Sequence, residues 1–132
     1  KAVQQVAQAL RTMCVEDETG RWILSNRHQE ARCEWALSVP TAIAAGHSIS
    51  VSIIDRTFVD AAGVRWIIDY KTGSHTGGSL EEFLDREQLR YRPQLDRYAQ
   101  VLQRMEDRPM HLALYFPLLG KWRKWIPSRE SA

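Results

Sequence analysis

The sequence predicts an α/β protein: a central mixed β-sheet of about five strands flanked by helices, in the order αβββαββ. Three observations carry this reading. Residues 31–39, 49–59 and 64–71 read as successive strands joined by short turns, which makes them antiparallel. A long helical stretch opening at Ser79 separates the third strand from the fourth, and such a crossover makes those two strands parallel and right-handed in connection. Residues 110–116 (MHLALYF) are almost entirely apolar without alternation, the mark of a strand covered on both faces. With 132 residues the chain is one domain, 1–132, large enough to fold without disulfide or metal staples.

The elements follow in order. Val3, Val6, Ala7, Leu10 and Met13 recur at helical spacing and predict an amphipathic helix over 2–13. Asp17 to Gly20 has turn chemistry, and Arg21 to Leu24 is too short to assign. Cys33, Trp35, Leu37 and Val39 alternate with Glu34, Ala36 and Ser38, so they should share one face of a strand that Pro40 ends. The second strand (ISVSIIDRTFV) is rich in β-branched residues, and the third (VRWIIDYK) follows a turn at Asp60–Gly63. Ser79-Leu80-Glu81-Glu82 is a capping box. Pro93 suits only a first helical turn, so the helix should adjust there and a second piece run over 93–106. A turn at Pro117–Gly120 leads to an edge strand over 121–126.

Composition narrows the function classes. Eighteen Lys and Arg against sixteen Asp and Glu give a net charge of +2, which excludes a polybasic binder but not a local basic surface. Two cysteines, Cys14 and Cys33, cannot build a four-Cys zinc or iron–sulfur site. With nothing else pointing to secretion, they read as buried reduced thiols. No apolar run reaches the ~18 residues of a membrane span. The chain begins with Lys rather than Met, as expected of a processed protein or an excised piece of a longer one.

The most informative feature is Asp55 on one strand with Asp69 and Lys71 on the next. If Asp60 and Val64 close a three-residue loop, with Gly63 at its left-handed position, facing residues have numbers summing to 124. Asp55 then faces Asp69, with Cβ atoms roughly 5 Å apart, and Lys71 shares their face. Two facing carboxylates repel unless something compensates, and two Asp with waters suit Mg²⁺. Lys71 can then orient a water or stabilise charge on a phosphate, an arrangement suited to phosphodiester cleavage. The plainer alternative is a surface carboxylate pair salt-bridged by Lys71. The apolar flanks Ile53-Ile54 and Ile67-Ile68 weigh against it, because unpaired charge is costly there.

Ser52-Ile53-Ile54-Asp55-Arg56, Ile67-Ile68-Asp69-Tyr70-Lys71-Thr72-Gly73 and Tyr91-Arg92-Pro93-Gln94-Leu95-Asp96-Arg97-Tyr98-Ala99 together resemble the PD-(D/E)xK nucleases. The resemblance is nearest to the RecB-like and AddA-like nuclease domains found C-terminal to UvrD/Rep-type helicases, and spans residues 30–120. It implies the restriction-endonuclease-like fold and a DNA exonuclease that uses Mg²⁺ or Mn²⁺; the four-Cys iron–sulfur cluster that some relatives carry is excluded here by the count of two cysteines. It further implies an attached helicase motor and a second helicase-nuclease subunit as partners, and a role in DNA end processing and recombinational repair in the bacterial cytoplasm. By the same resemblance Asp55 and Asp69 hold metal, Lys71 is the catalytic lysine, Gln94 and Tyr98 form the helix motif facing the site, and Glu34 is the acidic residue of the preceding strand. The subgroup's metal-binding His on an upstream helix has no counterpart in residues 2–13, and His28 stands too close to Glu34 to replace it. A non-catalytic DNA-binding or scaffold module is therefore the rival reading.

Other residues are weighed against plainer roles. Arg90 and Arg97, with Arg86 and Arg104, form a loose basic stripe able to contact phosphates, though a solvated face paired with Glu87, Asp96 and Asp107 is favoured. Lys121, Arg123 and Lys124 interleave with Trp122 and Trp125 as in single-strand binders, or equally protect an edge strand. His47 and His75 read as surface residues in turns, and His111 as a sheet-face residue.

Overall fold

Asp17 starts the first described helix. Its carboxylate accepts the Gly20 N–H at 3.2 Å and so caps α1, Glu18–Leu24, the segment too short to assign from sequence. The same carboxylate accepts the Tyr115 hydroxyl at 2.5 Å, which ties the helix start to the sheet. This is a computed structural model that describes residues 4, 7, 11, 16–43, 46–72 and 77–127, with the side chains of 39–50 not described. Of the helix expected over 2–13 only residues 4, 7 and 11 are described, each of them helical and exposed; Cys14 and His75 lie outside the described residues, as does the side chain of His47.

Five strands follow: β1 (Gln29–Ile43), β2 (Gly46–Val59), β3 (Arg65–Tyr70), β4 (Met110–Phe116) and β5 (Lys121–Trp125), with α2 (Leu80–Gln103) between β3 and β4. They form one sheet in sequence order, antiparallel except for the parallel β3–β4 pair. The fold is thus α/β with a mixed five-stranded sheet, as the element order predicts. No helix among the described residues is long and apolar enough to cross a membrane.

The sheet has a core on each face. Leu84, Leu95, Ala99 and Leu102 of α2 pack on Ile67, Leu112 and Leu114. Ile23 of α1 packs on Phe58, Trp66, Ile68 and Tyr115 on the other side. β4 sends alternate residues into both, which is why its sequence is continuously apolar. A buried Arg65 joins three elements at the far end of β3. It forms ion pairs with Glu106 at 2.7 Å and Glu30 at 2.8 Å and hydrogen-bonds Thr57.

Several expectations need correction. Pro40 does not end β1, which runs on to Ile43 with Pro40 opposite Ile49, as an edge strand tolerates, and His47 lies in β2 opposite Ala42 rather than in a turn. Pro93 does not divide the long helix: α2 runs unbroken from Leu80 to Gln103. Pro93 and Leu89, whose carbonyl loses its partner, are exposed, so water can serve that carbonyl, while Leu84 and Leu95 anchor both halves in one core. Cys33 is free but exposed, because β1 is the edge of the sheet. Strict alternation in β1 also fails. Cys33 accepts a contact from Arg56, which turns toward α1, whereas Trp35 and its partner Ile54 pack on the α2-side core. Both strands switch facing at the level of Glu34 and Asp55, and Glu34 has the left-handed φ of 51° that the switch requires.

The β2–β3 turn sets the register. Pairs from Arg56↔Ile68 to Val59↔Arg65 all sum to 124. Asp60 N–H and carbonyl bond Val64 and Gly63, its Oδ1 accepts from Ala62 and Val64, and its Oδ2 accepts the Trp66 indole N–H. Burial pushes the Asp60 carboxyl up, but these bonds from Trp66, Val64 and Ala62 outweigh it and hold the group below its ordinary value. Gly63 sits at φ +82° with nothing within 4 Å of an added Cβ, so only backbone strain opposes a side chain there. Gly63→Ala should therefore lower stability in urea denaturation by about 1–2 kcal/mol, with Gly63→Asn between the two.

Candidate active site

β2 and β3 part company beyond Arg56↔Ile68, and the acidic pair sits at that fork. Past it β2 pairs only with β1. The Tyr70 N–H, which a continued ladder would bond to backbone, instead donates to Asp55 Oδ2 at 2.8 Å. This bond turns the Asp55 carboxylate toward β3. Asp69 is the penultimate residue of β3 and 15% exposed, and its Oδ2 is buried. Lys71 continues the parallel ladder by donating its N–H to the Tyr115 carbonyl at 2.9 Å, and its Nζ comes within 2.6 Å of Asp69 Oδ2. That approach is an ion pair outside hydrogen-bond geometry, so the buried Oδ2 accepts no hydrogen bond.

The electrostatics reflect crowding. Burial pushes the Asp55 carboxyl up, the Tyr70 N–H pulls it down, and the Asp69 charge with a side-chain hydrogen bond to Asp69 pushes it up again, against a smaller pull from Lys71. The result is about 6, against an ordinary 3.8. Two crowded carboxyl groups, one with a buried oxygen that accepts no hydrogen bond, fit a hard divalent cation, which takes carboxylate and water oxygens. Asp55 and Asp69 are the residues that could hold it. Among the described residues no cluster of three or more His, Cys, Asp or Glu forms, so a metal here would take its remaining ligands from elsewhere.

α2 supplies the wall over this pair. The Tyr91 ring lies 3.5 Å from Lys71 Nζ. One turn on, Gln94 Nε2 donates to the Tyr98 hydroxyl at 2.6 Å, and Tyr98 is buried in the α2-side core. Gln94 and Tyr98 therefore share the helix face that carries Tyr91. Glu34 lies on β1 between the residues paired with Arg56 and Ile54, but its side chain is exposed and is not joined to the contacts linking Asp55, Asp69 and Lys71. Sequence reasoning included Tyr91 in the helix motif but did not single out its contact with Lys71, nor the Tyr70 N–H. Spacing on α2 puts Tyr91 on the face of Gln94 and Tyr98, but its contact with Lys71 depends on how the helix seats on the sheet; the Tyr70 N–H depends on where the strands separate, which no residue type signals.

The candidate phosphate contacts do not assemble into one surface. Arg123 forms ion pairs with Glu81 and Asp85 of α2. Lys124 points the other way, over the rings of Trp122 and Trp66 at 5.1 and 6.0 Å. Lys121 and Arg97 are exposed, and Arg90 lies 4.0 Å from Glu87. Asp96 meets Arg92 and the Trp125 indole rather than Arg97. His28 and His111 are packing residues: His28 stacks on Phe58 and bonds the Trp22 carbonyl, and His111 meets the Trp66 ring.

A family model described as the PD-(D/E)XK nuclease superfamily matches residues 3–124, nearly the whole sequence, and the chain belongs to that superfamily. No curated protein matches it.

Because the Asp55 carboxyl titrates near 6 in the folded chain and near 3.8 when unfolded, the folded state binds the extra proton between those values. Its contribution to stability is full below the unfolded value and is lost as pH rises through about 6. Metal-free thermal melts across that window should show the native chain losing stability relative to Asp55→Asn as pH rises, since Asn keeps an acceptor for Tyr70 N–H without the charge.

Proposed function

We propose that this member of the superfamily is a metal-dependent DNA nuclease domain of exonuclease type, belonging to a helicase-nuclease that acts in DNA end processing and recombinational repair. The observation that carries the reading is the half-buried Asp55–Asp69 pair with the Lys71 ammonium 2.6 Å from Asp69. Asp55 and Asp69 would hold Mg²⁺, or Mn²⁺ in its place. When bound, such an ion supplies charge neutralisation at a phosphate and a water acidic enough to be a nucleophile.

The chain's own residues do the rest. Lys71 places an ammonium beside the acids, where it orients the attacking water or stabilises charge developing on the phosphate. The Tyr70 N–H keeps the Asp55 carboxylate turned to its partner. Gln94 and Tyr98 present a hydrogen-bonded pair on the helix face over the site and position the strand. Arg90, Arg97, Lys121 and Lys124 offer exposed cations for phosphate contacts that carry no sequence information, so preference among sequences should be weak. Arg123 contributes only by leaving Glu81 and Asp85. The partners would be DNA, an attached helicase motor and a second helicase-nuclease subunit.

A second reading, a DNA-binding module without cleavage, is favoured by the assembly of only two acidic ligands among the described residues. Incubation of linear single- and double-stranded DNA with Mg²⁺ or Mn²⁺ separates the two. The native chain should cleave, Asp69→Ala should not, and Lys71→Ala should be slower by about 10²–10³-fold. Native-like cleavage by both variants refutes the site assignment. Retardation of DNA in a gel without cleavage by the native chain selects the second reading.

A further inference from the structure

Lys71 has two partners, and only one remains when Asp69 turns to a metal. Its Nζ is 2.6 Å from Asp69 Oδ2 and 3.5 Å from the centroid of the Tyr91 ring. The second distance is well inside the ~6 Å over which a ring face attracts an ammonium. Tyr91 packs against the α2-side core, which fixes the ring, and the Lys71 side chain is only 20% exposed, so the contact is partly desolvated.

We propose that Tyr91 is a positioning residue that retains the Lys71 ammonium on its ring when a divalent cation engages Asp69, which lowers the competition between Lys71 and the metal for that carboxylate. The inference rests on the reading of Asp55 and Asp69 as metal ligands. While Asp69 and Lys71 are paired, the carboxylate offsets much of the positive field that the ring feels. Once the Asp69 charge is directed at a metal, Lys71 loses that offset and meets a second positive charge close by. The negative face of the ring then binds a fuller ammonium charge than before, and binds it in the place where Lys71 already sits. Without the ring, a half-buried ammonium is left short of a partner, and that cost falls on metal binding. The contact is to the ring face, so the hydroxyl is not required.

Mn²⁺ titration calorimetry on the whole chain tests this, with Tyr91→Leu and Tyr91→Phe made both in the native background and with Lys71→Met. Tyr91→Leu should weaken Mn²⁺ binding about threefold to thirtyfold, the range that a ring–ammonium contact spans. Tyr91→Phe should bind as the native chain does, and with Lys71→Met in place Tyr91→Leu should have no effect. Equal weakening in both backgrounds overturns the inference, because a general packing defect does not need Lys71. So does native affinity in Tyr91→Leu, or the same loss in Tyr91→Phe. If the native chain takes up no Mn²⁺, the ligand reading of Asp55 and Asp69 fails first and the inference with it, whereas native uptake with an unchanged Tyr91→Leu defeats the inference alone.

Discussion

Two carboxylates held side by side in a half-buried place repel each other, and the architecture around them consists largely of the means to hold them there. Desolvation and the Asp69 charge both push Asp55 toward its protonated form, while the Tyr70 N–H and Lys71 pull the other way. Left to themselves the strands would splay or the acids would turn to solvent. The hairpin prevents this because its register is locked at the opposite end, where Asp60 bonds Ala62, Val64 and Trp66 and Gly63 adopts the left-handed turn. The two cores, one on each face of β3 and β4, fix the plane in which that register is expressed.

The fork between β2 and β3 adds something that a regular ladder would not. Where the backbone partner of Tyr70 N–H is withdrawn, a side chain from β2 takes its place, and a ladder defect becomes a means of aiming Asp55. The switch of facing at Glu34 and Asp55 belongs to the same event. It turns Trp35 and Ile54 onto the α2-side core just beyond the site, while Arg56 reaches back to the Ile23 and Ser25 carbonyls at the end of α1. Local irregularity is thus confined to the level of the sheet that carries the acids.

Continuity of α2 matters for the same site. Tyr91, Gln94 and Tyr98 share one helix face only because the helix runs unbroken through Pro93, and the apolar anchors on either side of that proline keep it whole. The cations of β5 are divided by strand alternation. Arg123 is drawn onto the acidic start of α2, and Lys124 onto the tryptophans of the other face. A mild net charge therefore conceals no single basic face made from these residues.

Much of this was legible in the sequence. The order of strands and the long crossover gave the mixed sheet, because turn chemistry and side-chain periodicity are local. Gly63 three residues after Asp60 gave the register, since a left-handed turn position admits few residues, and that register brings Asp55 and Asp69 to the fork just past its last pair, Arg56↔Ile68. The short helix at Glu18 was not legible, since seven residues stabilised by a cap and one buried Ile leave almost no periodic signal. The break expected at Pro93 failed because propensity is local whereas the anchoring of Leu84 and Leu95 is not. What the sequence by itself determined was the order of the strands and the register of the β2–β3 hairpin from Arg56↔Ile68 to Val59↔Arg65. Only the tertiary structure decided that Asp55 turns to the Tyr70 N–H, that Lys71 lies against Tyr91, and that Arg123 is neutralised. Those outcomes depend on where strands separate and how a helix seats on a sheet, and these are set by the packing of distant side chains.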